Sequence, residues 1–269
     1  MDVTPFTDRF ERQRPLVGVV HLPALPGAPR AASSMDEIRR RSVRDARALA
    51  GGGLDGVLVE NFGDAPFRPG RVEPATVACM AAAAGAVREA VEVPVGVNVL
   101  RNDGEAALSV AAAVGADFVR VNVWTGARVT DQGVVRGVAD RVLRLRRRLG
   151  VDVAVLADVA VKHSAPLAGR PLAEEAAEAV GRGGADGLLV TGAATGDPPG
   201  IGRLEEVRGA AGGAPVLAAS GLRPDNAARL LAVADGAVVG TALKEGGETA
   251  APVDADRVAR LVEAARGAQ

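Results

Sequence analysis

The chain has 269 residues, a formal net charge of −1 and a sequence pI near 6.2, which excludes the basic surface a nucleic-acid binder needs to displace counterions. Hydrophobic residues make up 48% and aromatics 2%, with no Tyr and one Trp, so the core must be Val, Leu and Ala. A single cysteine, Cys79, excludes an internal disulfide and suits a reducing compartment.

The N-terminal MDVTPFTDRFERQRP carries no apolar segment of the secretory kind. No apolar run reaches the ~18 to 20 residues of a membrane span. The expectation is a cytoplasmic protein without a transmembrane segment.

Eight β-branched runs follow, at 16–22, 56–62, 95–100, 118–123, 151–159, 187–191, 216–220 and 237–241. Each precedes a helix-like stretch, and this alternation reads as parallel strands joined by helical crossovers. Ser34 with Glu37 has capping-box spacing, Pro74 suits a first helical position, and Asp103 can cap a helix over 104–114. The strings GGGLDG, VGADF and GGADG place Gly where a left-handed cap ends a helix. The Pro-rich stretch 23–29 and the segment 63–73 are long loops after strands. The Arg-rich runs 39–41 and 144–148 fall on predicted helices and read as solvated faces. These units predict a single (β/α)8 TIM barrel over 1–269, with 1–15 as an N-terminal extension. A doubly wound open sheet is the competing fold, and eight units in this length favour closure.

In such a barrel the reactive face is built from the C-terminal strand ends. The chain has two histidines and only two lysines, His21, Lys162, His163 and Lys244, and all four fall at such ends. Lysine can lose its proton or form an imine, and histidine titrates near neutrality, where arginine does neither. Glu60 and Asp158, at the tips of apolar strands, are the acid–base candidates. The alternative for either is an ion pair with Arg101 or Arg120. Lys162 is suited to an imine or to neutralising an oxyanion, with His21 and His163 beside it. Asn98, Asn122 and Arg120 would orient substrate hydroxyls.

Ser220-Gly221-Leu222 and Gly240-Thr241-Ala242 stand after the seventh and eighth strands, where barrels commonly cradle phosphate with backbone amides. Thr191 and Gly192, in VTGAATG, would complete that cradle. The expected partner is therefore a phosphorylated small molecule. His21, Glu60, Asp158 and His163 are ligand types for a divalent metal, without the spacing of a known metal motif. The sequence leaves both a metal and a homo-oligomer open.

The strings GVVHLPALPGAPR, DGVLVENFGDAPF, GVNVLRND, FVRVNVWTGARVTDQG, ADVAVKHSAPL, GGADGLLVTGAATG and DGAVVGTALKEGG together resemble the BtpA/SgcQ family. The likeness runs from about Val17 to Val258. Ala160 stands where the family pattern ADVHVKH has a histidine. The resemblance implies a relative of the ribulose-phosphate-binding barrels. Members of the family are associated with photosystem I biogenesis or stability, and others with carbohydrate-utilisation gene clusters. Two functions follow as expectations. One is a lyase- or isomerase-like enzyme acting on a phosphorylated carbohydrate beside a carbonyl. The alternative is a non-catalytic biogenesis or stability factor for a membrane complex such as photosystem I.

Overall fold

A computed structural model describes residues 3–192 and 196–267. In chain order the elements are β1 (Leu16–His21), α1 (Met35–Gly51), β2 (Gly56–Glu60), α2 (Pro74–Arg88), β3 (Val95–Asn98), α3 (Gly104–Val114), β4 (Phe118–Val121), β5 (Ala127–Thr130), β6 (Gly133–Arg136) and α4 (Ala139–Leu149). There follow β7 (Ala154–Val159), β8 (Ser164–Pro166), α5 (Leu172–Gly181), β9 (Gly187–Thr191), α6 (Ile201–Ala210), β10 (Val216–Ala219), α7 (Ala227–Leu231), β11 (Ala237–Val239) and α8 (Ala255–Arg266). Eight strands close into a parallel barrel in the order β1-β2-β3-β4-β7-β9-β10-β11, with β11 returning to β1. The fold is a TIM barrel.

The apolar composition divides between two cores. Val17, Val19, Leu58, Leu156, Leu189 and Leu217 fill the barrel interior, and a larger Val/Leu/Ala cluster lies between strands and helices. Phe118 packs over Gly96, where a Cβ would lie 2.2 Å from the Phe118 ring. Phe6 and Phe10, ahead of β1, stack edge-on in this cluster, with Phe6 5.4 Å from Phe118. The N-terminal segment thus contributes to the barrel core. No helix among the described residues is long and apolar enough to cross a membrane.

A recurring aspartate ties the strands in pairs. Asp55, Asp117, Asp186 and Asp235 precede β2, β4, β9 and β11, and each carboxylate accepts from a backbone N–H near the start of the preceding barrel strand, at Leu16, Val95, Val155 and Val216, over 2.8 to 2.9 Å. Each aspartate's own N–H returns a bond to the same residue's carbonyl. The Gly-x-Asp strings therefore do two jobs. Gly115, at φ +67°, and Gly184, at φ +61°, turn the chain out of a helix, and the aspartate that follows secures an otherwise orphaned strand-start donor.

The helix starts are as the sequence predicts: Ser34 accepts from Glu37 N, Asp103 from Ala106 N, and Pro74 opens α2. Sequence reasoning missed one element, a three-stranded antiparallel sheet of order β6-β5-β8. Asp131 and Gln132 form its two-residue turn, because Thr130 pairs with Gly133, which sits at φ +90°. Trp124 is buried and donates through Nε1 to the Gly183 carbonyl at 3.0 Å. Cys79 is half-buried on α2, packed against the main core.

Candidate active site

Strand register assembles the site. His21 pairs with Glu60, Glu60 with Asn98, and Asn98 with Arg120. Partners in a parallel ladder share a face of the sheet, so four adjacent strands send polar side chains inward at one level. Arg120 is the hub. Its Nε and Nη2 hold Asp158 at 3.1 to 3.3 Å, and its Nη1 lies 3.9 Å from Glu60 Oε2. Asn122 Nδ2 donates to Asp158 Oδ2 at 2.6 Å, and Asn98 Nδ2 donates to the Arg120 carbonyl at 2.9 Å.

Above this layer opens a cavity of about 630 Å³. His21, Glu60, Arg120, Asn122, Lys162 and His163 line one part of it. Ser220, Gly221, Gly240 and Thr241 line another. Lys162 joins the two, its Nζ donating to Ser220 Oγ at 3.1 Å. The joining backbone is unusual. Ala160, His163 and Ser220 adopt φ of +50°, +56° and +74°, a region that costs a non-glycine residue of order 1 kcal/mol or more and clusters at functional sites.

Two glycines are sterically required here. A Cβ on Gly221 would lie 2.1 Å from Pro198 N, and one on Gly240 would lie 2.7 Å from His21 Cε1. Gly240 therefore lets the last strand end against the imidazole.

Four predicted residues lie off this cavity wall. Asp158 is enclosed by Arg120 and Asn122, with its side chain 0% exposed, so the ion-pair alternative describes its place. Asn98 is buried beside Arg120 and Asn122 and does not line the cavity. Thr191 accepts from Lys162 N at 3.0 Å, and with Gly192 it lines an adjoining recess. Ala193, Ala194 and Thr195 of VTGAATG are outside the described residues. The expectation that all four scarce Lys and His residues share the rim is corrected at Lys244. It turns toward the helix layer, 1% exposed, and its Nζ meets Asp45 Oδ2 at 3.1 Å. Asn61 and Asp64 serve the loops: Asn61 accepts from Leu100 N, and Asp64 accepts from Leu25 N and Asn61 Nδ2.

Sequence reasoning named Arg101 only as an ion-pair partner at the strand ends and did not assign Phe62, Phe67, Arg223 or Arg257 to the site, yet all line the cavity. They come from loops and from α8, where no strand pattern marks them.

Electrostatics separate the ionisable groups. Burial, reinforced by Lys244, Lys162 and Arg120, pushes His21 well below its ordinary pKa of 6.5, so its imidazole is neutral at pH 7. Burial also lowers Lys162, with Arg120 and Arg101 adding to the effect and Glu60 and Asp158 opposing it. His163 is lowered by partial burial and by Lys162. For Arg120, burial works against the charge, but Asp158 and Glu60 outweigh it and raise the pKa.

A buried amine whose charge burial disfavours, a carboxylate and a neutral imidazole therefore share one cavity with two glycine-rich loops. Such a set can move protons and meet a carbonyl carbon or oxygen. Among the described residues no three His, Cys, Asp or Glu side chains converge as a metal site.

The model of the BtpA family matches residues 12–267. A Synechocystis protein named photosystem I biogenesis protein BtpA is 45% identical over 95% of this chain and 89% of its own. An uncharacterised protein of Thermococcus kodakarensis is 43% identical over 96% of this chain and 97% of its own. Among solved structures, a native KDPGal structure superposes with a TM-score of 0.60 at 17% identity, covering 96% of this chain and 97% of that one. An archaeal fructose 1,6-bisphosphate aldolase reaches 0.56 at 16% identity, over 97% and 98%. At these identities the superpositions establish the barrel fold and no more.

Proposed function

The chain belongs to the BtpA family, and from that premise we propose an enzyme that processes a small phosphorylated carbohydrate by proton transfer or carbon–carbon cleavage beside a carbonyl. The observation that carries this reading is the 3.1 Å contact from Lys162 Nζ to Ser220 Oγ. It joins the amine to a loop that also has the position and glycine content of a phosphate cradle. The Ser220-Gly221 and Gly240-Thr241 loops hold the phosphate through backbone amides. The carbonyl lies toward Lys162, and Glu60 takes the proton from the adjacent carbon. Neutral His21 shares hydrogen bonds with the developing oxygen, and Asn122 orients a hydroxyl. Asp158 and Asn98 position Arg120, which in turn lies beside Glu60.

Lys162 acts in one of two ways. As a free amine it condenses with the carbonyl, releasing water and forming an imine into which the electrons of the broken C–H or C–C bond flow. As an ammonium it stabilises the enolate oxygen directly. Borohydride treatment in the presence of dihydroxyacetone phosphate separates them. A stable mass adduct at Lys162 supports the imine, and unaltered Lys162 removes it. Thermal shift against sugar phosphates tests the wider reading, because a ligand of the native state raises apparent stability.

The name of the Synechocystis relative favours a second reading, a partner-binding assembly factor. Exposed Val129 and Val134 on the small antiparallel sheet, with exposed Leu167 just past β8, offer it an apolar surface. On that reading a Glu60→Gln, Lys162→Met double variant keeps its cellular role, and loss of the role in a folded double variant counts against it.

A further inference from the structure

Arg101 is a buried cation of the cavity wall that no carboxylate pairs with among the described residues. The residue is 5% exposed. One N–H of Nη2 donates to the Lys162 carbonyl at 2.8 Å, and Nε is buried without a hydrogen-bond partner among the described residues. Asp158, Asp131 and Glu60 act on it only through their fields, while Asp158 is gripped by Arg120 and Glu60 lies between Arg120 and His21. An ionised group taken out of water without a counter-ion is costly. A buried guanidinium kept in that condition on a cavity wall fits a place where an anion arrives with the ligand.

Its position around the ring gives the ligand a shape. Arg101 follows β3, the third strand of the closed order, and Ser220-Gly221 follows β10, the seventh. Third and seventh strands of eight lie across the barrel from each other. Lys162, after the fifth strand, touches both sides: its carbonyl accepts from Arg101 and its Nζ donates to Ser220. A ligand with phosphate on the glycine loops and its carbonyl at Lys162 presents its far end to Arg101.

We propose that Arg101 is a second anion subsite, and that the substrate is a phosphorylated sugar acid or a sugar bisphosphate with an oxyanion at each end. This rests on the phosphosugar reading above and narrows its substrate class. Carboxylate and phosphate are alike here, since each offers paired oxygens to the planar guanidinium fork. The competing role for Arg101 is a clamp on the backbone of the Lys162 loop, and the test separates the two.

The full chain is titrated calorimetrically with three six-carbon probes, glucose 6-phosphate, 6-phosphogluconate and fructose 1,6-bisphosphate, for the wild type and for Arg101→Gln. The expected result is that at least one doubly anionic probe binds about tenfold or more tighter than glucose 6-phosphate. Whichever of the two it is identifies carboxylate or phosphate as the second group. In Arg101→Gln the preference shrinks to roughly threefold or less while glucose 6-phosphate still binds, which also shows that the variant is folded. Equal affinity for all three probes in the wild type overturns the subsite and leaves the phosphosugar reading standing. An equal loss for all three in Arg101→Gln makes the residue a loop clamp and overturns the subsite likewise. Absence of binding by every probe overturns both.

Discussion

Asp158 belongs to Arg120. The guanidinium meets both carboxylate oxygens edge-on, at 3.1 to 3.3 Å, and the aspartate side chain is 0% exposed. Removing one member of a buried pair strands the other charge, which costs about 3–5 kcal/mol. Asp158→Ala is therefore expected to lower the melting temperature by roughly 6–20 °C for a chain of this size. Differential scanning calorimetry checks this, and a shift under two degrees would show that Arg120 finds another partner.

Glu60 has looser contacts, with His21 and Arg120 each 3.9 Å away. Its carboxylate faces the cavity, so its loss should reach chemistry before stability. Glu60→Gln is expected to slow exchange of the carbon-bound protons of dihydroxyacetone phosphate in D2O by roughly 10²–10⁴-fold, with little change in melting temperature. Proton NMR reads the exchange directly. A rate matching the wild type would take Glu60 out of proton transfer.

The contrast between these carboxylates marks what the sequence conveys. All eight barrel strands were legible because strands buried on both faces are continuous apolar runs, as in Val216–Ala219 and residues 154–157 of β7. The polar residues at their ends were legible for the same reason, as breaks in those runs. Which neighbour each would engage was not. Glu60 and Asp158 look alike along the chain, and only barrel closure sets Arg120 between them. Lys244 lies a few residues beyond its strand, past a short 3-10 turn at Thr241–Leu243, and that turn aims it at Asp45. The antiparallel sheet was hidden because β5 and β6 have four residues each and expose Val129 and Val134, so neither shows a clean alternation. Arg101 and Arg257 reach the cavity from a loop and a helix, where no periodicity signals an inward turn.

His21 gives the stability a pH dependence whose sign is fixed by burial. The folded chain holds this imidazole neutral below its ordinary pKa of 6.5, whereas the unfolded chain takes up a proton there. The unfolded state thus binds more protons in that window, so this contribution is complete above about pH 6.5 and is lost as pH falls toward the depressed folded value. The slope attributable to one such proton is at most roughly 1.4 kcal/mol per pH unit. Urea unfolding between pH 5 and 7 should show a shallower slope in His21→Gln, with His163, also lowered by burial, contributing to the remainder. Identical slopes would mean that His21 titrates normally in the folded chain.

The paired-strand aspartates should be separable from the site. Asp117 accepts from Val95 N at 2.8 Å and donates its own N–H to the Val95 carbonyl. Asp117→Ala keeps the second bond and strands the first donor, a loss of about 1–3 kcal/mol. Amide hydrogen exchange should then quicken at Val95 more than at Val216, whose aspartate is intact. Uniform loosening of all four strand pairs would instead point to a single cooperative unit.

The two lysines should behave in opposite ways. Lys244 is 1% exposed and its Nζ meets Asp45, which also accepts from Arg44 Nη2 at 2.9 Å. Lys244→Met leaves Asp45 with that half-exposed arginine and a backbone donor, so the expected cost is near the lower end for a broken buried pair, about 3 kcal/mol. It also removes one of the charges that depress His21, and the His21 pKa should rise measurably by NMR. Lys162 has a serine hydroxyl at its Nζ, not a carboxylate, and burial disfavours its charge. Lys162→Met should therefore hold or raise the melting temperature while abolishing any borohydride adduct. Equal destabilisation by the two substitutions would show that Lys162, like Lys244, is there to hold the barrel together.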